Sequence, residues 1–288
     1  MKISIKNRYK LFNLATVDGE YLHDVTPTES LLGQAENMGA DIFSFIERTF
    51  INRNQIFKNF TKEEDNAAIL TAKTYEDWWS KQISKKSRNM VRKAGKKSVV
   101  ARIFDPDEEA VRKIWEIYNE TPIRQERRFS HYGISLDAVR KGFANTSNNS
   151  YLIGAYCNNE LIGLLHLLYH ERVALISQIL SFQRHFDKAP NNALISKTLE
   201  LCTQKNIRYI IYGRMGSHPS LDRFKQSNGF VKFIIPRYYI PLTRKGNVIV
   251  KLRLHREIED ALPQSIKYSL IPIYNWLDKR LLSLTHIS

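Results

Sequence analysis

Across 288 residues the chain carries 44 Lys and Arg against 29 Asp and Glu, a net charge of +15, with 43% hydrophobic and 11% aromatic residues. That apolar content excludes a disordered chain and is enough for one main core, and the length is within reach of a single large α/β domain with appendages. The charge points to an anionic partner (nucleic acid, an acidic membrane surface or a phosphorylated substrate), while the absence of a long apolar run or an apolar N-terminus gives no sign of a membrane span or signal peptide.

Residues 1 to 38 mix charge, Thr, Ser and Gly with short apolar patches, and are expected to form an irregular extension. "DIFSFIERTF" alternates as a strand does, and "AAILTA" supplies a second short apolar run. Thr74 and Asp77 have capping-box spacing, which predicts a helix running through Trp78, Trp79, Ile83, Met90, Val91 and Ala94 to Gly95. "SVVARIF" reads as a strand. "DPDEEAVRKIWEIYNET" reads as a helix, with acids in its first turn and Val111, Ile114, Trp115 and Tyr118 on one face.

The second half is more regular. "YLIGAYCNNELIGLLHLLYH" predicts a hairpin around "CNNE", because Asn tolerates positive φ. A strand ("VALISQILSF"), an amphipathic helix ("NNALISKTLELCTQKN"), a strand ("IRYIIYGRM"), a short helix closed by Gly229 and a last strand ("FVKFIIPRYYIPL") follow, an order β-β-β-α-β-α-β. From Arg244 onward, short basic amphipathic segments broken by Pro263 and Pro272 predict a helical tail able to lie on an anionic membrane or to pack on the main domain. Cys157 and Cys202 fall in apolar stretches without metal-like spacing, so buried reduced thiols and a cytoplasmic setting are expected.

Two stretches gather cations. "KSRNMVRKAGKKS" holds Lys86, Arg88, Arg92, Lys93, Lys96 and Lys97 without a carboxylate, and on one continuous helix Lys81, Lys85, Arg88, Arg92 and Lys96 would line a single face. Like charges at that spacing repel unless an anion lies nearby, so the stripe is either a substrate surface or a solvated face. "NETPIRQERRFSHYG" collects Arg124, Gln125, Arg128 and His131; arginine forks suit phosphate or carboxylate, and the imidazole is a candidate base. The alternative is a surface loop with paired charges.

The second-half order, with "LISQILSFQRHFDKAPNNALISKTLELC" and "LDRFKQSNGF", resembles the GNAT N-acyltransferase superfamily, and "TYEDWWSKQISKKSRNMVRKAGKKSV" is similar to its FemABX-like branch. The resemblance covers residues 39 to 243, the acyltransferase domain, leaving 1–38 as extension and 244–288 as tail. It implies an α/β (α+β) fold with a mixed, mostly antiparallel sheet flanked by helices. It also implies transfer of an acyl or aminoacyl group from acyl-CoA, or alternatively aminoacyl-tRNA, to an amine, in cell-envelope or surface-glycan metabolism, without a metal. By resemblance the donor site spans Arg184, Lys188, Asn191, Asn192 and Ala193, and Tyr212 and Ser181 border the cleft. Lys225 stands where many members carry the tyrosine that protonates the leaving group, and the donor loop lacks the usual glycines. An asparagine after Pro190 is expected to cap the helix there. The rival class is a non-catalytic module binding polyanions or membrane surfaces.

Overall fold

A computed structural model describes residues 1–51, 57, 60–124, 127–144, 149–216 and 218–256. Strands are β1 (Ile3–Arg8), β2 (Phe12–Val17), β3 (Ile42–Ile46), β4 (Thr61–Thr71), β5 (Val99–Ile103), β6 (Ile123–Arg124), β7 (Arg127–Arg128), β8 (Ser150–Cys157), β9 (Glu160–His170), β10 (Val173–Ser181), β11 (Tyr209–Ile211) and β12 (Val231–Pro241). Helices are α1 (Glu29–Asn37), α2 (Tyr75–Asp77), α3 (Lys85–Lys96), α4 (Glu108–Asn119), α5 (Leu136–Ala144), α6 (Pro190–Gln204), α7 (Pro219–Ser227) and α8 (Arg244–Lys251). One ten-stranded sheet has the order β1-β2-β3-β12-β4-β11-β10-β9-β8-β5, and β6 and β7 form a separate ribbon. Among the described residues only β2/β3 and β10/β11 pair in parallel.

The predicted second-half order holds. Asn158 and Asn159 turn the β8–β9 hairpin at φ +51° and +63°, and Gly229 ends α7 at φ +94° with Leu70 and Gln82 pressed against its Cα. Both cysteines are free and buried, and burial pushes the Cys202 thiol up to about 12.

Residues 1–38 are not irregular. β1 and β2 pair antiparallel, β2 joins β3, and Thr28 caps α1 through its hydroxyl. The core of this half is Ile3, Ala15, Phe43, Phe45, Tyr238 and their neighbours. The strands are six residues each, and β1 carries Lys6 outward and ends on Arg8, so their alternation is too short to outweigh the polarity of the segment. The helix expected from Thr74 to Gly95 is broken as well. α2 runs into a π-helical turn, Trp78–Gln82; Ile83 is extended at ψ 137°, and Ser84 caps a new helix by accepting from Ser87 N. Ser84 N donates to Ser227 O, and the buried Trp78 Nε1 donates to Asn228 O, so contacts with α7 override continuous helix geometry. α5, which the cation-rich sequence around it concealed, buries Val139 and Phe143.

α3 packs on α6, α4 on α5, and α6 against β8, β9 and β10. Of the expected tail, α8 is helical and buries Ile249 and Val250 beside Phe12 and Ile42; residues 257–288 lie outside the described residues. Among the described residues no helix is long and apolar enough to cross a membrane.

Candidate functional site

β10 and β11 pair in parallel only at Val173–Leu175 with Tyr209–Ile211. β10 continues to Ser181, whereas the chain after β11 stays on β4, with which β11 is paired: Tyr212 N donates to Ala68 O and Ala68 N to Gly213 O. The two strands therefore part, and among the described residues no strand pairs with that edge of β10 beyond Leu175. A register shift between Ile176 and Gln178 leaves Ser177 out of the β9 ladder at the point of parting. The candidate cleft at this parting has the end of β10 and the start of α6 on one side, and Tyr212–Met215 with α7 on the other.

On the first side the turn Gln183–Lys188 leads through Ala189, left-handed at φ +55°, into α6. Neither Asn191 nor Asn192 caps the helix: the cap is Ala189, no side chain bonds the first turn, and Pro190 at the first helical position needs no partner. Asn192 N and Ala193 N both donate to Ala189 O, which leaves Asn191 N as the first-turn amide without a bond, at the positive end of the helix dipole. The loop before it is occupied differently. Glu120, from the end of α4, accepts from Gln183 N at 2.7 Å and Arg184 N at 3.2 Å, placing an internal carboxylate on the first loop amides. Arg184 lies over the Phe182 ring at 3.5 Å, Lys188 is half-buried, and burial beside Lys188 and Arg184 holds His185 below the usual imidazole range. Ala193 is 8% exposed and belongs to the core, so its expected contact with a donor is limited to its backbone at the helix start.

Arg124 does not present a free guanidinium. Its Nη1 donates to Ser181 O (2.8 Å), and its Nη2 to Ile117 O (2.6 Å) and Glu120 (3.2 Å), so it locks the α4 end to the end of β10. His131 has its own set of contacts: Gln178 Nε2 meets His131 Nε2 at 3.3 Å, Tyr118 Oη donates to Gln178 Oε1 at 2.6 Å, and the Tyr118 and His131 rings stack at 4.7 Å. Burial lowers the His131 pKa, so the ring is neutral at neutral pH, and burial pushes the Tyr118 phenol up to about 12. Arg128 is exposed in β7, away from these contacts, and Gln125 lies outside the described residues. Three buried polar atoms on this rim have no hydrogen-bond partner in the protein: Ser181 Oγ, Arg124 Nε and Asn191 Oδ1. Native interiors rarely leave such groups unpaired.

On the opposite rim Lys225 does not sit in solvent. It is 3% exposed, its Nζ donates to Arg214 O at 2.7 Å, and it lies 4.6 Å from the Tyr212 ring centre. Burial outweighs the nearby Asp222 and lowers its pKa to about 8, within range of proton transfer near neutral pH. Tyr212 is held above the usual phenol range by burial and stays protonated.

The cation stripe is shorter than a continuous helix would give. Lys81, before the break, pairs with Asp77; Arg88 donates to Trp79 O at 3.2 Å, and Arg92 lies 5.6 Å from the Trp79 ring centre. Lys85, Lys86 and Lys96 remain exposed on α3, the helix that packs on α6. Sequence reasoning missed Glu120, Tyr118, Gln178 and Arg214. Only Tyr118 carried a signal, on the helix face, and that signal reads equally as core packing.

No family model and no curated protein matches the chain. Solved structures do. FemX superposes with a TM-score of 0.56 at 10% identity over 87% of this chain and 86% of its own. L-PGS from Bacillus licheniformis gives 0.54 at 15% identity over 88% and 86%. A lysylphosphatidylglycerol synthetase-type C-terminal domain from Agrobacterium fabrum gives 0.57 at 11% over 88% and 84%. The chain has a GNAT-like fold of the FemABX kind.

Proposed function

We propose that the protein transfers an acyl or aminoacyl group from an activated donor to an amine in the cleft between β10 and β11. The observation that carries this is Lys225, a buried lysine with its pKa near 8, held beside Tyr212 and Arg214 just past the end of β11. The amine nitrogen forms a bond to the acyl carbonyl carbon. Backbone N–H groups around the bulge at Ser177 are the candidates for holding the oxyanion. The bond to the leaving oxygen or sulfur breaks, and that atom takes a proton from Lys225. The amine proton passes to neutral His131.

Two donors fit the chemistry. An acyl-CoA would use the start of α6 through its phosphates. An aminoacyl-tRNA is the reading we favour, because Glu120 already occupies the loop amides at Gln183 and Arg184 where a pyrophosphate would need donors. A departing ribose oxygen also needs an acid more than a thiolate does, thiols having an ordinary pKa of about 8.5. The exposed lysines of α3 next to α6 supply a surface for a polyanion.

Calorimetric titration at several salt concentrations separates the donors. Lys85→Glu with Lys86→Glu is expected to weaken aminoacyl-tRNA binding and to lower its salt slope by roughly 2, one for each phosphate that no longer meets a lysine, while leaving acyl-CoA unaffected. Asn191→Asp, which suits a helix start but repels phosphate, should weaken whichever donor is used. If acyl-CoA binds and aminoacyl-tRNA does not, the thioester is the donor. Binding of any polyanion without regard to the acyl group, and without turnover, would favour the non-catalytic module.

A further inference from the structure

The outer face of α8 serves neither the core nor the cleft. On its inner side the helix is fixed. Gly246 sits so close to the start of β3 that a Cβ there would meet Asp41 O at 1.9 Å, and Ile249 and Val250 pack on Phe12 and Ile42. Thr243 Oγ1 and Lys245 Nζ both donate to the Asp41 carboxylate, at 3.0 and 2.8 Å. Just past the helix, His255 is buried against the Tyr239 ring, 4.2 Å between centres, and meets Glu63 at 3.2 Å. Anchored at both ends, α8 cannot roll inward to bury its remaining apolar side chains. Val248 is 55% exposed, Leu252 63% and, in the turn that follows, Leu254 48%.

Val248 and Leu252 are four residues apart, hence on the same side of the helix. One exposed leucine needs no explanation, whereas aliphatic groups gathered among cations mark a contact surface. Arg244, Lys251 and Arg253 are exposed beside them and form no ion pair among the described residues. The β1–β2 turn lies alongside, because Phe12, which begins β2, packs on Ile249 and Val250; it adds exposed Tyr9, Lys10 and Leu11. Neither segment brings a carboxylate. None occurs before Asp18, and none between Asp222 and Glu257, a stretch that holds nine Lys and Arg. Single-stranded nucleic acid would call for planar side chains on which bases stack, and Tyr9 alone supplies one. An anionic bilayer takes both features of this face, aliphatic groups below the headgroups and cations among the phosphates.

We propose that α8 and the β1–β2 turn form a membrane-docking face, which seats the protein on an anionic bilayer with Val248, Leu252 and Leu254 inserted and Arg244, Lys251 and Arg253 among the lipid phosphates. This stands independently of the acyl-transfer reading.

Co-sedimentation of the full chain with vesicles tests it. Vesicles of phosphatidylserine and phosphatidylcholine in equal parts should bind the chain at least about tenfold more tightly than phosphatidylcholine alone at about 0.1 M salt, and less tightly at about 0.5 M salt. Val248→Ser with Leu252→Ser should weaken binding about tenfold or more. Lys251→Gln with Arg253→Gln should do the same, since each cation at such a surface is worth roughly fivefold. Both variants replace exposed side chains and should melt as wild type does. Wild-type binding by both would overturn the proposal and move the contact to the chain beyond Arg256. Loss in the charge variant alone would leave an electrostatic contact without insertion, which also overturns it. Failure of the wild type to bind would do so too, and self-association abolished by Val248→Ser with Leu252→Ser would then give the face to a second copy of the chain.

Discussion

Lys225→Met is expected to lower kcat by about 10²–10³, the usual worth of a positioned general acid, without unfolding the protein. The side chain is 3% exposed, and Met fills the same volume with one polar contact fewer, the bond to Arg214 O. The variant should gain stability at neutral pH. A lysine whose folded pKa is near 8, against about 10.4 when unfolded, binds fewer protons folded than unfolded between those values, so stability rises with pH across that window. Below about pH 8 the buried charge costs the full difference, on the order of 3 kcal/mol, and its removal should recover part of that. Denaturant unfolding at about pH 7 and about pH 10 checks the sign: the gap between variant and wild type should narrow at the higher pH. A variant that loses activity and stability together at both values would make Lys225 structural.

Arg237→Met is expected to be strongly destabilising, by about 3–5 kcal/mol, because it leaves Glu20 buried without its partner and Asp65 with Arg214 alone. The Glu20 and Asp65 side chains are 13% and 5% exposed. In a chain of this length that should lower Tm by roughly 6–20 °C. Adding Glu20→Gln should restore part of the loss by removing the stranded charge, a recovery that thermal unfolding of the single and double variants measures directly. If the single variant melts as wild type, the Arg237 network carries little energy.

Local chemistry made much of this legible in advance. The Asn158–Asn159 turn, the α6 and α7 helices, Gly229 and the strand order of the second half follow from spacing and turn residues, which act over a few positions. What escaped depends on contacts between distant segments. Ser84 starts a new helix because its amide meets Ser227 O, and β1 and β2 are strands because β3 offers them an edge. The same holds at the site. Arg124 looked like a free fork but is held by Ser181 O and Ile117 O, and Glu120 caps the loop amides. Lys225 was placed by resemblance alone, and its burial, which decides its acidity, follows from how α7 packs beside Tyr212 and Arg214.

Delivery of a proton by Lys225 during acyl transfer is tested most directly by kcat against pH, from about 6 to about 10, at saturating donor and amine. Lys225 loses its proton as pH rises through about 8, so kcat should fall above that value in wild type, and the falling limb should be absent from the residual activity of Lys225→Met. A rate that keeps rising to the top of the range, or a Lys225→Met profile that retains the same limb, would contradict it.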